Sequence, residues 1–342
     1  MQIELPLPDD WHVHLRQGAP MAAYARAHGA SFGRILAMPN TIPPLVGPED
    51  ITAYSRKAEA AAPGLKVLSA FRLMPRMSRA DIAALAAAGI PAGKYYPDGA
   101  TTNSQGGLTS WRDAAEAIAA MEEFHLILCI HGENPDAPVL DREAAFLPIF
   151  EQIRQAHPQL KMILEHVSSA EGVHAVRTDS GPSAATVTVQ HLLFTLDDLI
   201  GGLLNPHLFC KPVVKTQAHR AAIQEAVLSG HPRFFFGSDS APHDKKHKHS
   251  DTCPAGAYTA PMILPALASF FHQEDALNRL KPFLCDLGRE FYGLPPNRGT
   301  VLLEKKPWTV PAESEGCVPL MAGETLPWRI AEVNRKRPGE GS

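Results

Sequence analysis

The fold class this sequence predicts is α/β: a (β/α)8 TIM barrel with a short C-terminal extension. Three observations predict it. Eight short β-rich runs, several apolar nearly throughout, are spaced along residues 11–239, as expected of parallel strands covered on both faces. Helix-like segments follow most of them, and repeated strand–helix alternation is the mark of a closed barrel. The rival architecture is a doubly wound open sheet, which places a glycine-rich phosphate loop after its first strand when it binds a nucleotide. Here that strand ends in HVHLR.

The strands fall, in order, at 11–14 (WHVH), 34–39 (RILAMP), 66–72 (KVLSAFR), 93–97 (GKYYP), 125–131 (HLILCIH), 161–167 (KMILEHV), 186–191 (TVTVQH) and 234–239 (FFFGSD). Between them, Ser78 precedes RADIAALAAAG as an N-cap, with Gly89 placed to close the helix. Ser110 before WRDAAEAIAAMEE and Asp141 before REAAFLPIFEQIRQA read the same way. The alternation stops near residue 300. The expected organisation is therefore a barrel over 1–300, an extension packed on it over 301–330, and a polar mobile tail over 331–342. The Leu and Phe residues of 192–209 read as core.

Composition narrows the function classes. With 45% hydrophobic residues the 342-residue chain can bury a sizeable core. The 32 Lys+Arg against 36 Asp+Glu give −4, so no global basic field invites nucleic acid or an anionic membrane. No apolar run approaches a membrane span, and the opening MQIELPLPDDW has no secretory pattern. Five scattered cysteines without a CxxC pair suit a reduced, cytoplasmic chain. HExxH, GxSxG and GxGxxG are absent, and a Walker loop at Gly93-Lys94 fails because Ala88 and Tyr95 stand in the wrong places. The basic run DKKHKHS (244–250) reads as a solvated loop.

The chemistry-bearing residues gather at strand ends. His12 and His14 are two apart on one strand, so both point to the same face and can reach one metal ion. Lys94, His131, His166 and Asp239 fall at or near the C-terminal ends of four other strands, the rim where barrel active sites sit. Singly, each has a plainer reading: His131 a satisfied core histidine, His166 a helix cap, Asp239 a turn residue. Convergence on one rim points instead to a site. Imidazole and carboxylate suit Zn2+, and a shared bridging ligand would divide the set between two ions. At an effective dielectric of ~20, an ammonium ~4 Å from a dication is opposed by roughly 8 kcal/mol. Beside a metal, Lys94 must therefore lose its proton or be modified, for instance to a carbamate. The alternative is a surface or salt-bridged lysine, with the strand placed two residues off. Arg16, two residues past His14, can fork onto a carboxylate.

The strings DDWHVHLR (9–16), AMPN (37–40), GKYYPDGATTNS (93–104), IHGE (130–133), LEHVS (164–168), QHL (190–192), GSDSAPH (237–243) and MAGETLPW (321–328), in this order, resemble the bacterial single-function (class II type) dihydroorotases of the amidohydrolase superfamily. The resemblance implies reversible cyclisation of N-carbamoyl-L-aspartate to L-dihydroorotate in pyrimidine (UMP) biosynthesis, in a cytoplasmic homodimer. It also implies two Zn2+ per chain: one on His12, His14 and Asp239, the other on His131 and His166, bridged by N6-carboxylated Lys94. Asp239 would be the catalytic acid–base. Substrate would be bound by His14, Arg16, Asn40, His131 and His243, with main-chain contacts near Lys211, Ala255 and Gly256. The loop 99–107 would be a lid whose Thr101 and Thr102 close over the substrate; read from composition alone, it is equally an ordinary exposed loop. Position 211 departs from the pattern, being Lys where an apolar residue is expected. Two other readings are carried: a hydantoin- or dihydropyrimidine-type cyclic-amide hydrolase, and a catalytically silent barrel scaffold.

Overall fold

The computed structural model describes residues 1–335, and 336–342, within the expected tail, lie outside the described residues. Strand β1 (Gln2–Pro6) precedes the barrel. The barrel strands are β2 (Asp9–Val13), β3 (Arg34–Ala37), β4 (Lys66–Ser69) continued by β5 (Phe71–Arg72), β6 (Ala92–Tyr95), β7 (Ile127–Ile130), β8 (Met162–Leu164), β9 (Ser183–Val187) and β10 (Phe234–Phe236). All their pairings are parallel, in the orders β2-β3-β4 and β5-β6-β7-β8-β9-β10. The cylinder closes just past β10, where the Asp239 amide donates to the His12 carbonyl at 2.9 Å and the His14 amide to the Ser240 carbonyl at 3.0 Å. With β4 and β5 read as one strand, this is the expected eight-stranded barrel.

The interior is lined by Trp11, Leu36, Met38, Ala70, Ala92, Ile127, Cys129, Ile163, Ala184 and Phe235. Small side chains dominate several strands because eight of them share one narrow axis. The far end is plugged by the helix Leu287–Tyr292, whose Tyr292 stacks on Trp11 with centroids 4.1 Å apart and planes 8° from parallel. A second, larger apolar cluster lies between the strands and the helices.

Local signals act largely as read. Ser78 and Asp81 form a capping box on the helix Arg79–Ala87, and Gly89 follows with φ +74°. Ser110 and Asp113 do the same for the turn that leads into the helix Ala115–Glu123. Asp141 stands at the N-cap of Arg142–Ala156 but its side chain makes no capping bond.

Several expectations are corrected. The seventh strand ends at Val187, not 191, because Thr188 accepts the His191 amide at 3.0 Å and opens a helical turn, Val189–Leu193. The strands expected to run to 39, 97, 167 and 239 leave the ladder at 37, 95, 164 and 236; Pro39 and Pro97 have no amide to continue it. Gly93 makes room for the Phe71 ring of the neighbouring strand, which any Cβ would strike. In 192–209, Leu192, Leu199 and Leu208 are core, but Leu203 and Leu204 are exposed.

The C-terminal region continues past the expected boundary at 330. Strand β11 (Thr300–Glu304) is flanked by β1 and by β14 (Arg329–Asn334) in an antiparallel sheet, and β12 (Trp308–Thr309) pairs with β13 (Thr325–Leu326). The N-terminal strand thus belongs to this sheet and not to the barrel.

Gly288, in the plugging helix, packs directly on Trp11: a Cβ there would overlap the indole nitrogen and Cδ1. Gly288→Ala is expected to destabilise the fold by about 1–3 kcal/mol through overpacking. A urea melt checks this; an unchanged midpoint would show that the plug is not tightly packed.

Candidate active site

His12 is the penultimate residue of β2, and His14 follows the strand's end. Beside it, His131 directly follows β7, His166 stands two residues past β8, and Asp239 three past β10. Lys94 lies within β6, in register with Arg72 on one side and Cys129 on the other. All six are buried. The ladder carries each chain segment to the mouth and then releases it. Beyond the ladder, Arg16, His166 and Asp239 adopt left-handed backbone with φ of 60°, 43° and 47°, strain of the kind that collects where side-chain direction matters more than local comfort.

The imidazoles share one arrangement. His12 Nδ1 lies 2.7 Å from Glu165 Oε2, His14 Nδ1 2.7 Å from Asn40 Oδ1, and His131 Nε2 2.8 Å from Glu133 Oε2. An oxygen acceptor on one ring nitrogen makes that nitrogen the N–H, so the other carries the lone pair. Those other nitrogens turn inward. His12 Nε2 and His14 Nε2 sit 3.4 and 3.0 Å from Asp239 Oδ1, and His131 Nδ1 faces His166 Nε2 at 3.1 Å. The two groups are contiguous, the His12 and His166 ring centroids being 5.1 Å apart. His12, His14 and Asp239 offer ligand atoms all within 4.8 Å of one another and form a candidate metal-binding group.

Electrostatics favours the neutral form of His14, His131 and His166. Burial lowers His14 to about 4 against the opposing pull of Asp239, and pushes His131 down and His166 well below the usual histidine range. Burial would raise Asp239 and Glu165, but it is outweighed. The adjoining His14 and His12 rings hold Asp239 at about 2, and Lys94 and His12 hold Glu165 at about 2. Thr186 adds a 2.6 Å hydrogen bond to Glu165. Lys94 is fully buried, its amine has no hydrogen-bond acceptor, and burial drives its pKa down. The surface or salt-bridged reading of this lysine is therefore wrong. His166 Nδ1 is likewise buried and unpartnered. Neutral imidazoles with inward lone pairs, a carboxylate and two orphaned buried nitrogens are a donor set that fits a metal.

The remaining expected residues surround this group. Arg16, Asn40, Thr101, Thr102, Lys211, Ala255 and Gly256 line the same cavity as the histidines and Asp239. Arg16 donates from Nε to the Pro242 carbonyl at 3.0 Å and from Nη2 to His243 Nε2 at 2.8 Å. His243, held near 3 by burial and by Arg16, is the neutral acceptor behind the guanidinium and does not line the cavity. Asn40 accepts from His14 and donates to the Thr102 carbonyl at 3.1 Å.

Four residues that matter were not singled out from sequence. Glu165 and Glu133 sit inside the strings LEHVS and IHGE, next to the histidines that drew attention. Arg72 ended a strand without comment. Lys248 lay in the run read as solvated, yet it is buried in the short helix Lys245–Lys248. Its ammonium donates to the carbonyls of Phe209, Pro254 and Gly256 at 3.2, 3.0 and 3.0 Å, pinning two loops of the cavity wall.

A parallel eight-stranded barrel with this candidate metal-binding histidine–aspartate group at its C-terminal mouth defines a barrel of the amidohydrolase class. Comparison with known proteins refines that. No family model matches the chain. A dihydroorotase from Halorhodospira halophila is 44% identical over 339 residues, covering 96% of this chain and 98% of its own length. The structure of a Saccharomyces cerevisiae dihydroorotase in complex with 5-fluoroorotic acid superposes with a TM-score of 0.92 at 31% identity, covering 98% of this chain and all of that one. An L-hydantoinase (dihydropyrimidinase) from Arthrobacter aurescens, at 15% identity, TM-score 0.80 and coverage of 98% and 85%, shares the fold alone. The chain belongs to the dihydroorotase family.

Because Glu165 fixes the His12 tautomer, Glu165→Gln is expected to weaken metal binding about 10–100-fold, as loss of such an outer partner does elsewhere. Competition of the protein against a chromophoric zinc chelator measures it; unchanged affinity would remove Glu165 from that role.

Proposed function

We propose that this protein is a zinc-dependent dihydroorotase, interconverting N-carbamoyl-L-aspartate and L-dihydroorotate in pyrimidine biosynthesis. The observation that carries the reading is the cavity itself. In a chain 44% identical to a dihydroorotase, it sets an arginine next to a His–His–Asp group, a cation for a carboxylated substrate beside the reacting centre. A hydantoin- or dihydropyrimidine-type activity is not favoured, since that likeness extends to the fold only. A silent scaffold is not favoured either, as all six expected ligand residues are present and buried at the barrel mouth.

Two Zn2+ would be held by His12, His14 and Asp239 and by His131 and His166, with Lys94 as an N6-carboxylated bridge. A buried amine with no acceptor supports that modification, because only a neutral amine can capture carbon dioxide. When bound, such a metal pair polarises a carbonyl and makes water acidic enough to attack at neutral pH. The protein's own residues supply the rest. Arg16 clamps the substrate carboxylate, its charge undiluted because neutral His243 accepts from it. Asn40 and the main chain at Lys211, Ala255 and Gly256 border the rest of the ring, and Lys211 brings an extra ammonium to that wall. In hydrolysis, Asp239 accepts a proton from the attacking water. As the carbon–nitrogen bond of the cyclic amide breaks, Asp239 returns that proton to the departing nitrogen; cyclisation runs the same transfers backwards. Thr101 and Thr102 cover the site and exclude bulk water. A cytoplasmic homodimer belongs to the same reading; among the described residues no helix is long and apolar enough to cross a membrane.

Purified protein is expected to carry close to two zinc ions per chain and to hydrolyse L-dihydroorotate. Lys94→Ala should lose both the second zinc and nearly all turnover, and Asp239→Ala about 10²–10⁴-fold in kcat. Zinc analysis and the assay on one sample decide; an active protein free of metal, or full activity in Lys94→Ala, would overturn the mechanism.

A further inference from the structure

The loop 99–107 (GATTNSQGG) brings almost no apolar surface to hold it down; among its residues only Ala100 is a buried hydrophobic side chain. Part of its shape is internal. Ser104 Oγ accepts the Thr101 amide at 3.0 Å and donates to the Thr101 carbonyl at 2.7 Å, and Asn103 and Gly106 take positive φ. Contacts across the cavity are light: Asn40 Nδ2 donates to the Thr102 carbonyl, Asn103 Nδ2 to the Asn40 carbonyl, and Thr102 Oγ1 reaches the Ala255 carbonyl at 3.4 Å.

One contact differs in kind. Arg72, the last residue of β5 and in register with Lys94, sends its guanidinium up to three successive loop carbonyls. Nη1 donates to Asn103 O at 2.9 Å, and Nη2 to Ser104 O at 3.1 Å and Gln105 O at 2.7 Å. The side chain is 4% exposed. Among the described residues no carboxylate lies within ion-pair distance of it, Asp98 acting only at longer range, and its guanidinium carbon lies 5.9 Å from the Tyr96 ring centroid. A buried cation without a directly paired carboxylate must satisfy its donors on whatever oxygens are in reach. Here those are the carbonyls of the segment next to Thr101 and Thr102. The bonds are charge-assisted, roughly twice as strong as neutral ones, and the planar fork matches several acceptors at once.

We propose that Arg72 is the latch of this loop: rooted in the barrel wall, it holds residues 103–105 against the mouth and so sets Thr101 and Thr102 over the substrate. It is a positioning residue and touches no reacting atom. The proposal rests on the dihydroorotase reading for what lies beneath the loop, but not for the latch itself.

The test uses the zinc-loaded protein. In Arg72→Met, hydrogen exchange of the amides in 101–107 should accelerate at least tenfold without substrate present. KM for dihydroorotate should rise about tenfold or more while kcat falls less, and zinc content should stay unchanged. Arg72→Lys should lie between, since one ammonium cannot span three carbonyls; it also carries the test if the methionine variant does not fold. Unchanged exchange would overturn the latch, and faster exchange with unaltered KM would overturn its link to substrate. If the wild-type protein fails to turn over dihydroorotate, the exchange measurement still judges the latch independently.

Discussion

Everything at the mouth of this barrel depends on where three protons sit. Glu165, Asn40 and Glu133 each take the N–H of one imidazole, on His12, His14 and His131. That choice turns the opposite nitrogens, with their lone pairs, toward one another and toward Asp239. A free imidazole exchanges its tautomers readily; a buried one whose outer nitrogen faces a carboxylate 2.7 Å away does not. The ligand character of the site is thus set one layer outside the ligands. Burial adds to this by favouring the neutral form of His14 and His131, and a neutral ring is the form that binds metal.

The barrel divides the labour between stiff and soft parts. The histidines, the lysine and the aspartate come from strands or from the first residues beyond them, where the closed ladder fixes backbone positions. The groups that would meet the substrate's periphery come from loops, which by composition are free to move. Two buried cations bring those loops under control. Lys248 gathers the carbonyls of Phe209, Pro254 and Gly256 on one side, and Arg72 those of Asn103, Ser104 and Gln105 on the other. Main-chain carbonyls are present whatever the side chains, so this pinning leaves the loop sequences free to serve the cavity.

Strand periodicity and local capping made the barrel legible. The HVH pair and the strand-end positions of Lys94, His131, His166 and Asp239 made the centre of the site legible, because strand geometry alone fixes which residues share a face. What escaped were relations between elements. The N-terminal strand Gln2–Pro6 pairs with Thr300–Glu304, nearly 300 residues away, and no local pattern announces such a partner. The end of the seventh strand was hidden because TVTVQH alternates like a strand until Thr188 captures the His191 amide. Lys248 was misread because a basic run looks solvated in one dimension, while its fold turns one lysine inward. Arg72 looked like a strand terminus and nothing more, since its three acceptors are main-chain atoms that carry no sequence signature.

Asn40 joins the two halves of the site. Its oxygen accepts from His14, and its nitrogen donates to the carbonyl of Thr102. One amide plane therefore spans an imidazole of the metal-binding group and the loop above it, and an amide plane is rigid. A loop displaced from the mouth gives up the Thr102 bond, yet the His14 bond survives, because its acceptor is the other end of the same group. The arrangement ties the orientation of the ring to the loop above it without making the His14 proton depend on that loop. An aspartate at this position could accept from His14 but would meet the Thr102 carbonyl oxygen with a second oxygen. The pairing requires a donor and an acceptor on one short, flat side chain, which is what asparagine provides.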